Sequence, residues 1–140
     1  MVAIDCSTLA YLLLSAEYTP RARTLFELDA DWHSDAFVLI EFTNVLATAM
    51  RIRGLPQPQA ATALTKAQSV LESGLHLADH SDVLALAAQL KVSAYDARYL
   101  TTARNLGVRL VTEDTKLRKA APRLTQSLAD ALTAAETPGQ

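Results

Sequence analysis

Four carboxylates carry the first chemical signal in this chain. Asp5 ends the apolar run Val2-Ala-Ile4, and Glu41 breaks the apolar stretch Phe37-Val-Leu-Ile-Glu-Phe42. Asp96 lies three residues after Ser93, and Asp114 follows the apolar-rich segment Val108-Arg-Leu-Val111. Carboxylates gathered in one cleft repel and raise one another's pKa values, and a divalent cation relieves that repulsion. An all-oxygen donor set, with one cysteine and no convergent histidines, suits Mg2+, with Mn2+ as a substitute, better than Zn2+. Ions of this kind share their shell with water and substrate phosphate and support phosphodiester hydrolysis. Each acid also has a plainer role open to it. Asp5 and Asp114 suit helix N-caps, Asp96 suits the partner position of a Ser93 capping box, and Glu41 could face solvent from a helix. Capping alone does not explain why all four fall at the same end of the expected sheet.

The elements that must position these acids follow from the pattern around them. The chain has 140 residues, of which 25 are Ala and 23 Leu, so helices should dominate. Val2–Ile4 predicts a strand that turns into a helix running through Leu14. Pro20 opens a second helix, and Ala36–Leu39 predicts a second strand running directly into a helix over 41–53, stopped by Gly54 and Pro56. A helix over 57–71 is closed by Gly74, and Leu75–Leu77 predicts a short strand. Ser81 is expected to cap a helix over 83–90, and Ser93 one that ends at Gly107. Val108–Val111 is the clearest strand, followed by a short basic helix and a final helix from about Ser127. Strands alternating with helices imply crossover connections and a mainly parallel sheet. The expected fold is α/β, a three-layer α/β/α sandwich with a short sheet. It forms one domain over 1–135, with 136–140 as a flexible C-terminal tail.

Composition removes several classes. Four glycines, Gly54, Gly74, Gly107 and Gly139, cannot form a phosphate-binding P-loop or a dinucleotide fingerprint. Cys6, the one cysteine, makes no internal disulfide. The first residues lack a secretory signal and no apolar run reaches the about 20 residues a bilayer needs, so a cytoplasmic protein without membrane association is expected. The net charge of −2 by itself suggests no nucleic-acid partner. Residues 98–123, however, hold Arg98, Arg104, Arg109, Lys116, Arg118, Lys119 and Arg123 against only Glu113 and Asp114. Among these, Arg98, Lys116, Arg118 and Lys119 are candidates to hold substrate phosphates beside the acids, although a solvated helix face gives the same pattern. His76 and His80 lack a second ligand pair for zinc. His33 suits surface packing beside Trp32. Tyr95 and Tyr99 suit the core better than a base-stacking role. The cluster of Leu9, Tyr11, Leu12 and Leu13 could be core, or in part a groove for a partner helix or a second copy.

The segments Val2-Ala-Ile-Asp-Cys-Ser-Thr-Leu9, Glu41-Phe-Thr-Asn-Val-Leu46, Ser93-Ala-Tyr-Asp-Ala-Arg-Tyr-Leu100 and Leu106-Gly-Val-Arg-Leu-Val-Thr-Glu-Asp-Thr-Lys-Leu117 resemble, in order, the successive motifs of PIN-domain nucleases. More narrowly, they are similar to the VapC toxins of toxin–antitoxin pairs. The resemblance implies a Mg2+-dependent endoribonuclease, usually a homodimer, restrained by a small antitoxin encoded beside it. Asp5, Glu41, Asp96 and Asp114 match the family's four acidic positions. On this basis Asp5, Asp96 and Asp114 are expected as metal ligands, with Glu41 as a further ligand or water-orienting base. Thr112, Ser7 and Asn44 match supporting polar positions, and Cys6 stands where a small residue is usual. Glu113 should point away from the acids at strand alternation. Rival expectations are an RNA-maturation nuclease without an antitoxin and an inactive PIN binding module. A haloacid-dehalogenase-type phosphatase would want Asp-x-Asp where this chain has Asp5-Cys-Ser7.

Overall fold

Five short strands make the sheet of this computed structural model, which describes residues 1–137. They are β1 (Val2–Ile4), β2 (Trp32–Asp35), β3 (Leu75–His76), β4 (Leu110–Val111) and β5 (Thr125–Gln126). All neighbours are parallel, in the order β3-β2-β1-β4-β5. Ala3 stands opposite both His33 and Leu110, so β1 is the central strand. Parallel strands need crossovers, and eight helices among the described residues supply them. These are α1 (Cys6–Leu13), α2 (Thr19–Leu28), α3 (Phe37–Arg53), α4 (Gln57–Val70), α5 (His80–Leu90), α6 (Ala94–Leu106), α7 (Thr115–Ala120) and α8 (Leu128–Glu136). Helix α1 packs on α2, α3 and α4, and α2 on α8, while α6 packs on α5 and lies along β1, β2 and β4. The expected α/β fold is the one observed. Ile4, Leu9, Trp32, Phe42, Leu100, Leu110 and Val111 are among the side chains that join in the main core.

The second strand is not where the apolar residues suggest. Ala36–Leu39 was expected to be extended, yet α3 begins at Phe37 and the strand is the polar segment Trp32-His-Ser-Asp35. The buried residues of α3, Val38, Phe42, Leu46 and Ala49, recur every three or four positions, which is a helical stripe. The polar strand is buried along its whole length because its polar groups find partners. Ser34 Oγ donates to the Ile4 carbonyl at 2.7 Å, and Asp35 Oδ2 accepts from the Phe37 amide at 2.8 Å.

Other boundaries shift for local reasons. Helix α5 starts at His80, not at Val83, because Asp79 caps it by accepting from the Asp82 amide at 3.1 Å. Strand β4 is two residues shorter at its start than expected, and β5 was not foreseen. Gly54 and Gly107 end α3 and α6 at φ 69° and 74°, a left-handed turn that glycine makes at no steric cost. Of the expected tail, Glu136 belongs to α8 and the Thr137 hydroxyl donates to the Thr133 carbonyl at 2.9 Å. Residues 138–140 lie outside the described residues. No helix among the described residues is long and apolar enough to cross a membrane.

Candidate active site

From the central strand the sheet grows one way through β2 and the other way through β4, so the topology switches between β1 and β4. Open parallel sheets bind ligands just beyond the carboxyl ends of the strands at such a point, where the diverging connections leave a crevice. The residues leaving these two strands are Asp5 after Ile4 and Thr112 after Val111.

Asp5 is 8% exposed and caps α1. Its Oδ1 accepts from the Thr8 amide at 2.9 Å. The Thr8 hydroxyl lies 2.8 Å from the same oxygen and 3.0 Å from the Val111 carbonyl, so its single proton is shared across the switch point. Burial pushes the Asp5 carboxyl above the ordinary carboxylate range, hydrogen bonds from Thr112 and Thr8 pull it back, and the nearby Glu41 charge adds to the rise. Among the described residues no basic side chain pairs with it.

The other three acids arrive on separate elements. Asp96 sits in the first turn of α6, where its amide donates to Ser93 Oγ at 3.0 Å, so the expected Ser93 cap forms. Its carboxyl is raised by burial first and then by the Asp114 charge, with Glu41 contributing and the Ser93 hydroxyl opposing. Asp114 caps α7, accepting at Oδ1 from the Lys116 and Leu117 amides at 3.0 and 3.1 Å. Its own amide donates to Thr112 Oγ1 at 3.1 Å, which fixes the turn out of β4. Glu41 belongs to α3 and does not follow a strand directly, as had been expected. Its Oε1 accepts from the Tyr99 hydroxyl at 2.7 Å, and burial together with this contact raises the tyrosine pKa. The Glu41 charge thus acts on both Asp5 and Asp96, and the Asp114 charge acts on Asp96. Asp5 and Asp114 are thus both helix N-caps, the plainer role open to them. Among the described residues, no three His, Cys, Asp or Glu side chains already stand as a ready set of metal ligands.

The supporting residues divide. Thr112 is fully buried and holds both Asp114 and Asp5. Ser7 and Asn44 are exposed, and the hydroxyl that serves Asp5 belongs to Thr8, one residue further on. Lys116 and Lys119 are exposed. Arg118 donates to the Thr112 carbonyl at 2.9 Å and pairs with Glu113 at 3.5 Å. Arg98, expected near RNA, instead turns inward. Its Nε meets Asp35 Oδ2 at 3.1 Å, and its other nitrogens reach the Ala78 carbonyl and His80. Glu113 accepts the Leu128 amide at 2.7 Å, capping α8. His33 is 8% exposed, not a surface group, with Nδ1 2.9 Å from His76 Nε2 and Nε2 2.7 Å from Asp31. Tyr99 is core, as expected, whereas Tyr95 is 64% exposed. Leu9 and Leu12 are core, and Leu12 and Leu13 line a cleft of about 580 Å³ with Phe26 and Val70.

Thr8, Asp35 and Tyr99 were the residues missed around the site. Only Thr8 had an available signal, since a hydroxyl three positions after an N-cap aspartate faces that cap.

Residues 2–122 match the family model described as the PIN domain. No curated protein matches the chain. The crystal structure of PAE2754 from Pyrobaculum aerophilum is similar in fold, with a TM-score of 0.72, 20% identity, and coverage of 95% of this chain and 94% of that one. A family match running from β1 past the end of α7 spans every element that brings an acid to the switch point, and the chain accordingly belongs to the PIN-domain family, whose fold is generally that of metal-dependent nucleases.

Proposed function

We propose that the protein is a Mg2+-dependent endoribonuclease that hydrolyses RNA phosphodiester bonds and serves as the toxin of a toxin–antitoxin pair. The observation that supports this most is a buried Asp5 with no cationic partner at the switch point, linked by charge to Glu41 and through it to Asp96 and Asp114. Burying an unpaired carboxylate is costly unless something neutralises it. The donor set is all oxygen, which suits a hard cation that keeps most of its waters and takes only one or two carboxylates directly. Asp5, Asp96 and Asp114 would hold the ion, with Mn2+ as an alternative, and it would supply activation of water and charge neutralisation at phosphorus. Glu41, fixed by Tyr99, orients the attacking water or takes its proton. Thr112 keeps Asp5 and Asp114 in register from behind. Lys116 and Lys119 hold flanking phosphates.

The toxin role rests on the motif resemblance, as do a homodimeric state, a cytoplasmic location and a small antitoxin as partner. A short reading frame beside the gene, whose product abolishes both cleavage and growth arrest when co-expressed, is the expected companion. Failure to find one would leave an RNA-maturation nuclease.

Purified protein should cut single-stranded RNA with Mg2+ and stop on chelation. Asp114→Asn should lower cleavage by about 100-fold or more, the scale of losing a group that stabilises transition-state charge. Asn caps helices as well as Asp, so the variant should melt with the parent protein. Full activity in that variant would remove Asp114 from the chemistry. An inactive parent with any divalent cation would leave a binding module.

A further inference from the structure

Helices α3 and α6 touch through two side-chain rungs, four residues apart on each helix. In the lower rung the Tyr99 hydroxyl donates to Glu41 at 2.7 Å. In the upper rung Phe37 and Tyr95 stack with centroids 5.1 Å apart and planes 10° from parallel, and Phe37 also leans on Tyr99 at 6.3 Å. In the lower rung Tyr99 is buried and Glu41 half-buried, whereas Tyr95 remains 64% exposed, so Phe37 covers one face of its ring and the remainder is open to solvent. The next residue in the chain is Asp96, one of the candidate ligands.

From this juxtaposition we propose that Tyr95 is a stacking platform for an unpaired nucleobase of the RNA, one helical turn from the Tyr99 that bonds Glu41 and next in the chain to Asp96. This rests on the ribonuclease function proposed above and adds the chemistry by which substrate is seated. Phosphates approaching Asp5, Glu41, Asp96 and Asp114 meet like charge, so beside the lysines a contact indifferent to that charge helps seat the RNA before or without the cation. A π-face supplies one, because every base can stack on it whatever its hydrogen-bonding edge. Phe37 fixes the ring in advance, which lowers the entropy lost when the base arrives. The same geometry selects single-stranded RNA, since a base inside a duplex has no free face.

The test is affinity for a fluorescent single-stranded RNA with EDTA present, so that no cleavage intervenes. Tyr95→Ala should weaken binding by about ten-fold, within the range measured for loss of one stacked base. Tyr95→Phe should bind like the parent, and an RNA duplex should not distinguish the three. Unchanged affinity in Tyr95→Ala, or loss in Tyr95→Phe as large as in Tyr95→Ala, overturns the platform. So does a Tyr95→Ala variant whose only change is a smaller solution mass, because the ring would then be a contact between copies. If binding depends on Tyr95 while no divalent cation elicits cleavage, the platform stands and the nuclease function fails.

Discussion

Asp5 and Asp35 end neighbouring parallel strands and are both buried, at 8% and 0% exposure, yet the protein treats them in opposite ways. Asp35 is saturated. It accepts the Phe37 amide at 2.8 Å, the Ala78 amide at 3.0 Å and Arg98 Nε at 3.1 Å. Its neighbourhood is occupied throughout, from His33 and His76 to the remaining nitrogens of Arg98. Asp5 receives only neutral donors and faces another acid. A buried carboxylate with its own cation serves as a strut, here tying α6 to the end of β2 and the start of α3. A buried carboxylate without one carries a charge that the surrounding fold does not balance.

The contrast can be broken most forcefully at Asp35. Asp35→Ala leaves Arg98, whose side chain is 14% exposed, without its partner, and a loss of about 3–5 kcal/mol in urea unfolding is expected. A loss below about 1 kcal/mol would make the strut decorative. Asp5→Asn should do the reverse. The amide oxygen still accepts from Thr8, the buried charge is gone, and in EDTA at neutral pH the variant should melt above the parent. Destabilisation there would mean Asp5 is as structural as Asp35.

A pH series sharpens the same point. The folded protein holds protons on Asp5 and Asp96 more tightly than the unfolded chain, whose value is near 3.8. Without divalent cation these groups therefore lower stability as pH rises from that value through their raised folded values, after which their contribution levels off. Excess Mg2+ should restore melting temperature at the upper end of this window and have little effect below it. Asp5→Asn should flatten part of the slope, and an unchanged slope would separate Asp5 from the titration. The smallest expected effect lies elsewhere on α6, where the Thr101 and Thr102 hydroxyls are buried without hydrogen-bond partners. Thr102→Val keeps the shape and removes the orphan, so thermal unfolding should show a gain of up to about 1 kcal/mol with cleavage unchanged. A loss would reveal a water or ligand held there.

What could be read from the chain depended on range. Asp5 after Val2-Ala-Ile4, Ser93 with Asp96, and the stops at Gly54 and Gly107 are local signals, and the structure has them all. The border between β2 and α3 failed because burial on both faces erased alternation in Trp32-His-Ser-Asp35. The apolar density had moved one element along, into a helix whose three-to-four spacing was nonetheless present. The ion pair of Asp35 and Arg98 joins residues 63 positions apart, and Thr8 meets Val111 across 103, so neither has a local sign. Glu41 was expected at the start of a helix directly after a strand; it is helical, but lies a turn inside α3 because the strand ends earlier, at Asp35.

The central strand is the first one made, and its partner across the switch point comes about a hundred residues later, where the Thr8 hydroxyl meets the Val111 carbonyl. Loop closure over that separation has to precede any joint contact between Asp5 and Asp114. A chain emerging from the ribosome thus cannot pair its central strand with β4, or seat the Thr8 hydroxyl against Val111, until synthesis has passed that residue.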